Sequence, residues 1–275
     1  MIWLLGQQLV AEWMKARRRS LFRGLLVVLL FFAILPAAVG FEGMQHENLR
    51  HWAISCVQFP GCLWSMLKWA EVFLPFLMAI AGAGIVGLEY SSGTWKMILP
   101  RSPSRVTPLV AKWVVAVALC VVGVVIAELV TVAAGYAGAR MLGVPFMSQG
   151  DGAYAVLFAK SQGFILLQAI LMVSMSMLFT VLGRSLLAGV LLGVISEHVI
   201  RLLTLIPLGW LLPISNLDWL ETQWMVKSRF VESEIVNVLR HPVSLASSIA
   251  SVLVFSALFT GLMLLVFNRR DMVTE

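Results

Sequence analysis

Charge is scarce in this chain. Only 12% of its 275 residues are Asp, Glu, Lys or Arg, against 60% apolar, and its mean hydropathy is +0.92. A soluble domain needs more polar surface than that, so a water-soluble enzyme or binding module is excluded at the outset. The familiar catalytic signatures are missing as well. There is no G-x-x-x-x-G-K-[ST], no H-E-x-x-H and no G-x-S-x-G. The chain therefore has no phosphate loop for ATP, and no standard zinc-protease or hydrolase centre. The apolar runs are continuous and lack period-two alternation, which excludes a strand barrel. Low-complexity segments and clear internal repeats are also absent.

What is present are runs long enough to cross a bilayer. A hydrocarbon core of about 30 Å needs about 20 helical residues. Six spans fit, at roughly 21–40, 70–88, 113–138, 162–183, 185–206 and 246–267. Backbone groups in lipid must be satisfied within the segment, so the spans are helices. The expected fold class is an all-α polytopic membrane protein, a single domain over 1–275. The net charge of +6 does not call for a nucleic acid, because its distribution follows the spans. Twelve basic residues fall on the side of both termini, among them Lys15, Arg17, Arg18, Arg19 and Arg23, and seven fall on the other side. That bias makes the termini cytoplasmic. A cleaved signal is disfavoured because the basic region reaches Arg23 and five further spans follow.

Residues 1–19 read as an amphipathic helix in the cytoplasmic interface. Ile2, Leu5, Leu9, Val10 and Trp13 share one side, Gln7, Gln8, Glu12 and Lys15 lie elsewhere, and the basic KARRR end can meet anionic headgroups of membrane lipids. In the first outer loop, Cys56 and Cys62 in CVQFPGC favour a disulfide over a zinc site, for which two thiols are only half the ligands. The string GAGIVG, Gly82 to Gly87, copies a dinucleotide fingerprint, but no strand precedes it; small residues there let helices approach closely. Spans 4 and 5 are joined only by Gly183-Arg184-Ser185, so they should be antiparallel neighbours. Residues 207–245 read as an outer re-entrant and loop segment, interrupted by Pro207 and Pro213 and rich in Trp, with a short solvated helix over about 221–241. The 14 methionines are scattered through the spans as ordinary core residues, and no metal is expected.

Four ionisable residues fall inside spans: Glu128 in the third, and Glu197, His198 and Arg201 in the fifth. Such groups are costly in lipid and face the bundle interior. Glu197 and Arg201 can pair at i, i+4, and Glu128 can join them across helices. Two readings stay open: a polar patch lining a path or gate, or a structural lock between spans 3 and 5. A proton relay through His198 is a third. EHVIR also has the E-x-x-x-R form of intramembrane glutamate proteases, yet Ser196 replaces their first Glu, and their histidine elements are missing.

The polar stretch between spans 2 and 3 carries the most information. Glu89 ends a helix, where the dipole disfavours an anion, so it needs a partner. Gly93-Thr94 can turn the chain. Residues 94–99 can form one or two helical turns, which Pro100 and Pro103 stop. Lys96, Arg101 and Arg105 make this knob basic. The run LEYSSGTWKMILPRSPSRVTPLVAKW resembles the first cytoplasmic loop of ABC-2-type permeases, in which an E-x-x-x-G-T leads into a short helix, a Pro-x-x-Arg and a Lys that opens the next span. The matching residues are Glu89, Gly93, Thr94, Leu99, Pro103, Arg105 and Lys112, with Pro103 and Arg105 one position closer together than in that pattern. The basic N-terminus, the FNRRDM end and the six spans are similar to that family too; Pro100 departs from its pattern. The resemblance implies a bacterial plasma-membrane transport subunit, not an enzyme, that pairs with a second, identical or homologous permease and most often exports. Residues 89–108 would be the coupling helix. Glu89, Gly93 and Thr94 would shape it, and Trp95 to Leu99 would touch a separate ABC ATPase present in two copies. ATP and magnesium would sit on that partner, and this chain would hold no cofactor. The rivals are an ATP-independent channel or proton-coupled carrier using Glu128, Glu197, His198 and Arg201, an intramembrane enzyme, and a membrane assembly or immunity factor.

Overall fold

A computed structural model describes residues 2–70, 73–102, 104–147, 154–204, 209–225 and 244–269. Pro103, Pro207, residues 226–243 with Lys227, Arg229, Arg240 and His241, and the stretch from Arg270 to Met272 lie outside the described residues. The expected solvated helix over 221–241 falls mostly there.

The described chain is helical. In order it forms α1 (Ile2–Arg18), α2 (Ser20–Gly43), α3 (Arg50–Val57), α4 (Gly61–Ala70), α5 (Phe73–Ser91), α6 (Trp95–Ile98), α7 (Val106–Met141), α8 (Tyr154–Gly183), α9 (Leu186–Leu203), α10 (Pro213–Met225) and α11 (Leu245–Arg269). Among the described residues no ladder of strands forms, only one isolated bridge between Phe59 and Met147. Among the described residues six helices are long and apolar enough to cross a membrane: α2, α5, α7, the Phe158–Gly183 part of α8, α9 and α11. Each coincides with an expected span. The main difference is α7, whose 36 residues extend about 54 Å at 1.5 Å per residue. It outruns the bilayer because its ends pack on protein, against α1 at one end and α3 and α4 at the other.

The centre of the bundle is α8. It packs on α5, α7, α9, α10 and α11, and buries Ile165, Leu171, Met172, Met175 and Met177 completely. Close approach comes from small residues, as GAGIVG suggested. A Cβ on Gly82 would run into Ser176 Oγ, and one on Gly87 would meet the Leu186 Cα at 2.6 Å. With no driving force from water between helices, such contact is what holds them. Ser174 adds a polar tie. Its Oγ accepts from Trp113 Nε1 of α7 at 2.9 Å and Thr260 Oγ1 of α11 at 3.0 Å. The α8–α9 turn is as tight as expected, with Arg184 at φ 48°, and the two helices pack side by side.

One end of the bundle gathers α1, the α5–α7 connection, the α8–α9 turn and the last turn of α11; we call it the basic end. At the opposite end lie α3, α4 and α10. With 13 residues, α10 is too short to span and packs against α8 and α11. Asn216 holds it. Its Nδ2 donates to the carbonyls of Trp210 and Leu212 at 2.8 and 2.9 Å and to Ser251 Oγ at 3.3 Å.

The disulfide expected between Cys56 and Cys62 is not formed: both are free, buried thiols. Each packs into a different helix. Cys56 Cβ faces Gly40 of α2, and Cys62 faces Gly135 of α7. The two thiols therefore serve as small packing groups, and burial pushes the Cys62 thiol up to about 11 and the Cys56 thiol up as well.

Candidate functional site

The stretch around Glu89 folds as a built corner. The backbone leaves α5 through Gly93, which holds φ at 66°, a left-handed conformation that suits glycine. The Thr94 amide then donates to the Glu89 carbonyl at 3.1 Å, and the Thr94 hydroxyl donates to Glu89 Oε2. One turn of helix follows in α6. A 3-10 turn over Leu99–Arg101 completes it, since Pro100 removes the amide a longer α-helix would need. Ser104 Oγ accepts the Thr107 amide at 3.2 Å, satisfying an otherwise orphan donor in the first turn of α7.

Glu89 has the partners that its position demanded. Its Oε1 accepts from Arg19 Nη2 at 2.8 Å and from Lys112 Nζ at 3.0 Å. Lys112 is 0% exposed, and its Nζ also donates to Glu12 Oε2 at 2.6 Å. Lys15 closes the far side of Glu12 at 3.0 Å. The result is a chain of alternating charges, Lys15–Glu12–Lys112–Glu89–Arg19, running from α1 through α7 to α5. The ammonium of Lys112 also lies 5.6 Å from the Trp95 ring centroid, within cation–π range. Trp95 in turn meets Phe267 of α11 edge-on at 4.9 Å. Five helices thus meet at one hub: α1, α5, α6, α7 and α11. A buried charge without such pairing would cost several kcal/mol.

Three expectations change here. Trp95 was expected to face a partner; it is 3% exposed and anchors α6 inward, because its indole fills the space between Lys112 and Phe267. Glu12 was placed on the polar side of α1; it is buried, because Lys112 sits opposite. Val10 was placed on the apolar side and is instead exposed; Leu9 and Trp13 pack against the core. What α6 presents outward is Lys96 and Met97, the latter 60% exposed. Gln8 Nε2 donates to Ser102 Oγ at 3.3 Å, so α1 also braces the far side of the loop. Leu99 packs half-buried against the core, and Arg105 sits exposed just before α7.

The intramembrane charges fall into two separate places, not one patch. Glu128 on α7 is buried and accepts from Gln162 Nε2 on α8. Glu197 on α9 accepts from Arg201 Nη2 at 3.3 Å, the expected i, i+4 pair. Arg201 Nη1 then reaches Asp218 Oδ2 on α10 at 3.3 Å. The helix α8 stands between α7 and α9, so Glu128 does not join the Glu197 cluster. The imidazole of His198 is exposed and bonded to its own helix at Val194. The cavity beside Glu197 and Arg201 is about 20 Å³, room for a water molecule rather than a solute.

A family model described as ABC-2 family transporter protein matches residues 8–199. The chain belongs to the ABC-2 transporter family. The match begins within α1 and runs to α9, so it takes in Glu12, Arg19, Glu89 and Lys112 together. Membership makes this a multi-pass membrane permease, the transport subunit of an ABC transporter rather than a catalytic chain, and implies partnership with an ABC ATPase. Neither a curated protein nor a solved structure matches the chain.

Proposed function

We propose that this ABC-2 permease works as the transmembrane half of an ATP-driven exporter, with residues 89–108 as the segment that couples it to a separate ATPase. The observation that carries this is the hub. The tip, Lys96 and Met97, faces outward, while its root is tied by Glu89, Lys112 and Trp95 to α1, α5, α7 and α11. Motion of the tip then moves five helices as a unit. The charge asymmetry supports a cytoplasmic basic end, where, in a bacterial inner membrane, the ATPase with its ATP and magnesium would dock. Six spans make half a transporter, so two permeases and two ATPases assemble. Separation of Glu128 from Glu197 weighs against a continuous proton relay.

The test is affinity purification of the full chain from native membranes in mild detergent, wild type against Met97→Asp. The expected result is a P-loop ATPase that copurifies with wild type and falls at least tenfold with Met97→Asp, at unchanged thermal stability. Absence of an ATPase from both preparations overturns the coupling reading.

A further inference from the structure

Between α1, α2, α5 and α7 lies a cavity of about 380 Å³ that the coupling reading does not use. Its walls are apolar: Leu25 and Leu29 of α2, Leu77 and Met78 of α5, Cys120 and Val124 of α7. Val122 and Ile126 are exposed at its edge, so it opens sideways into the hydrocarbon. Its mouth, at the basic end, carries Arg17 and Arg23 together with Trp13. Among the described residues no acid lines it. Both arginines are exposed. Arg23 donates to the Arg18 carbonyl, and no carboxylate among the described residues pairs with either of them. The nearby acids are already engaged, Glu12 and Glu89 by Lys15, Lys112 and Arg19.

We propose that this cavity binds one anionic phospholipid from the leaflet at the basic end, with its phosphate between Arg17 and Arg23 and one acyl tail in the cavity. The dimensions agree with a tail. Measured along α7 from Lys112, the lining runs from Leu119 to Ile126, about 10 to 21 Å above the charge level. Along α5 from Glu89 it runs from Ala81 to Leu74, about 12 to 22 Å. One leaflet of hydrocarbon is about 15 Å deep, so a tail entering past the arginines reaches well into that lining. The volume lies within the range of ligand pockets, about 300–1,000 Å³. An amphiphile satisfies both halves of the site: a dry apolar wall and two cations at the headgroup level. A second copy of this chain is a worse occupant, since a symmetric contact at the mouth would set these arginines against their own counterparts.

The consequence is regulatory. Trp13 and Arg17 belong to α1, and Glu12 of the same helix grips Lys112. A lipid held between α1 and α2 fixes the helix that braces the hub, so the composition of that leaflet would set how firmly α1 is seated.

The test uses the full-length chain, delipidated in mild detergent and titrated with dioleoyl phosphatidylglycerol or dioleoyl phosphatidylcholine, read by native mass spectrometry. Each arginine near a charged headgroup is worth about fivefold, so phosphatidylglycerol should bind roughly 25-fold more tightly than phosphatidylcholine. Arg17→Ala with Arg23→Ala should abolish that preference and leave phosphatidylcholine binding as it was. Leu26→Trp, which narrows the cavity from a half-buried position on α2, should weaken both lipids at least tenfold at unchanged melting temperature. Equal binding of the two lipids by wild type overturns the proposal. So does a preference that survives the arginine variant. Undiminished binding by a folded Leu26→Trp protein also overturns it, since it means the headgroup binds a basic surface without the cavity. ATPase capture plays no part in these readouts, so failure here leaves the coupling reading standing, and the reverse.

Discussion

Replacing Lys112 with Met tests the hub most directly. The ammonium is fully buried and stands 2.6 Å from Glu12 and 3.0 Å from Glu89. Once it is removed, Glu89 keeps Arg19 and the Thr94 hydroxyl. Glu12 keeps only Lys15, a neighbour three residues along α1 whose side chain is 45% exposed; such a pair is worth about 0.2–0.5 kcal/mol. Glu12 is then a buried carboxylate with almost no compensation. Breaking a buried pair on one side costs about 3–5 kcal/mol. At about 2–4 °C per kcal/mol for a chain of this size, the midpoint of thermal unfolding in detergent should fall by roughly 10 °C. Removing the other buried charges should rescue the fold. A triple variant, Glu12→Gln, Glu89→Gln and Lys112→Met, removes the three buried charges together and should recover most of the loss, because the cations that remain, Lys15 and Arg19, keep side chains partly open to water. A Lys112→Met protein melting within about 2 °C of wild type refutes the reasoning. So does a triple variant no better than the single one. Coupling should behave differently: the rescued triple variant restores stability but loosens the loop from α1, so its capture of an ATPase should stay below wild type.

Four smaller predictions follow from other sites. Gly87→Val should lower the melting temperature by the equivalent of at least about 1–3 kcal/mol, because its Cβ would lie 2.6 Å from the Leu186 Cα; wild-type stability would mean that α5 and α9 do not approach so closely. Asn216→Ala should cost about 1–3 kcal/mol by removing the amide that donates to the Trp210 carbonyl and ties α10 to Ser251 of α11, read by the same melt; the Leu212 carbonyl keeps the backbone amide of residue 216. Glu128→Gln should be neutral or stabilising, since among the described residues the partner of Glu128 is the neutral amide of Gln162; a loss above about 2 kcal/mol would point to a buried cation beyond those residues. Cys62, with its thiol pushed up to about 11, should stay protonated and resist alkylation at about pH 8 in the folded protein, because the thiolate is the reactive form. Its labelling should rise only as the pH nears 11. After denaturation without reductant both Cys56 and Cys62 should label, and failure to do so would restore the disulfide.

The spans were legible because lipid imposes a one-dimensional rule: about 20 apolar residues in a row, with the backbone satisfied in place. The packing role of GAGIVG and the tight α8–α9 turn were legible for the same reason, since both depend on neighbours in sequence or on residue size alone. The hub was legible only in outline. The loop pattern pointed to Glu89, and the helix end demanded a partner for it, but the identity of that partner was set by tertiary proximity. Glu12 and Lys112 are 100 residues apart. On a helical wheel Glu12 belongs with Gln8 and Lys15; only the position of α7 turns that face inward. Trp95 was misjudged for a related reason. In a short helix of four residues, periodicity is too brief to say which side faces protein, and a large aromatic serves equally as anchor or contact. The cysteine pair failed because spacing in sequence fixes neither the direction of the Cβ vectors nor what each thiol packs against.

The hub itself poses a question of economy in a chain so poor in charge. Burying ions is a weak way to stabilise a bundle, and a set of apolar side chains of the same volume would do as well or better. What ions offer is register. Lys112 can reach Glu12 and Glu89 together only when α1, α5 and α7 stand at one height relative to each other, whereas leucines in those places would tolerate a slide of a turn. In the proposed coupling role, a loop that delivers a push to several helices would need its root held at a fixed height more than it would need extra stability. Sequence composition is consistent with that use. The charges that could have been spread over a soluble surface are concentrated instead where the loop is rooted, at α1 and the two ends of the α5–α7 connection.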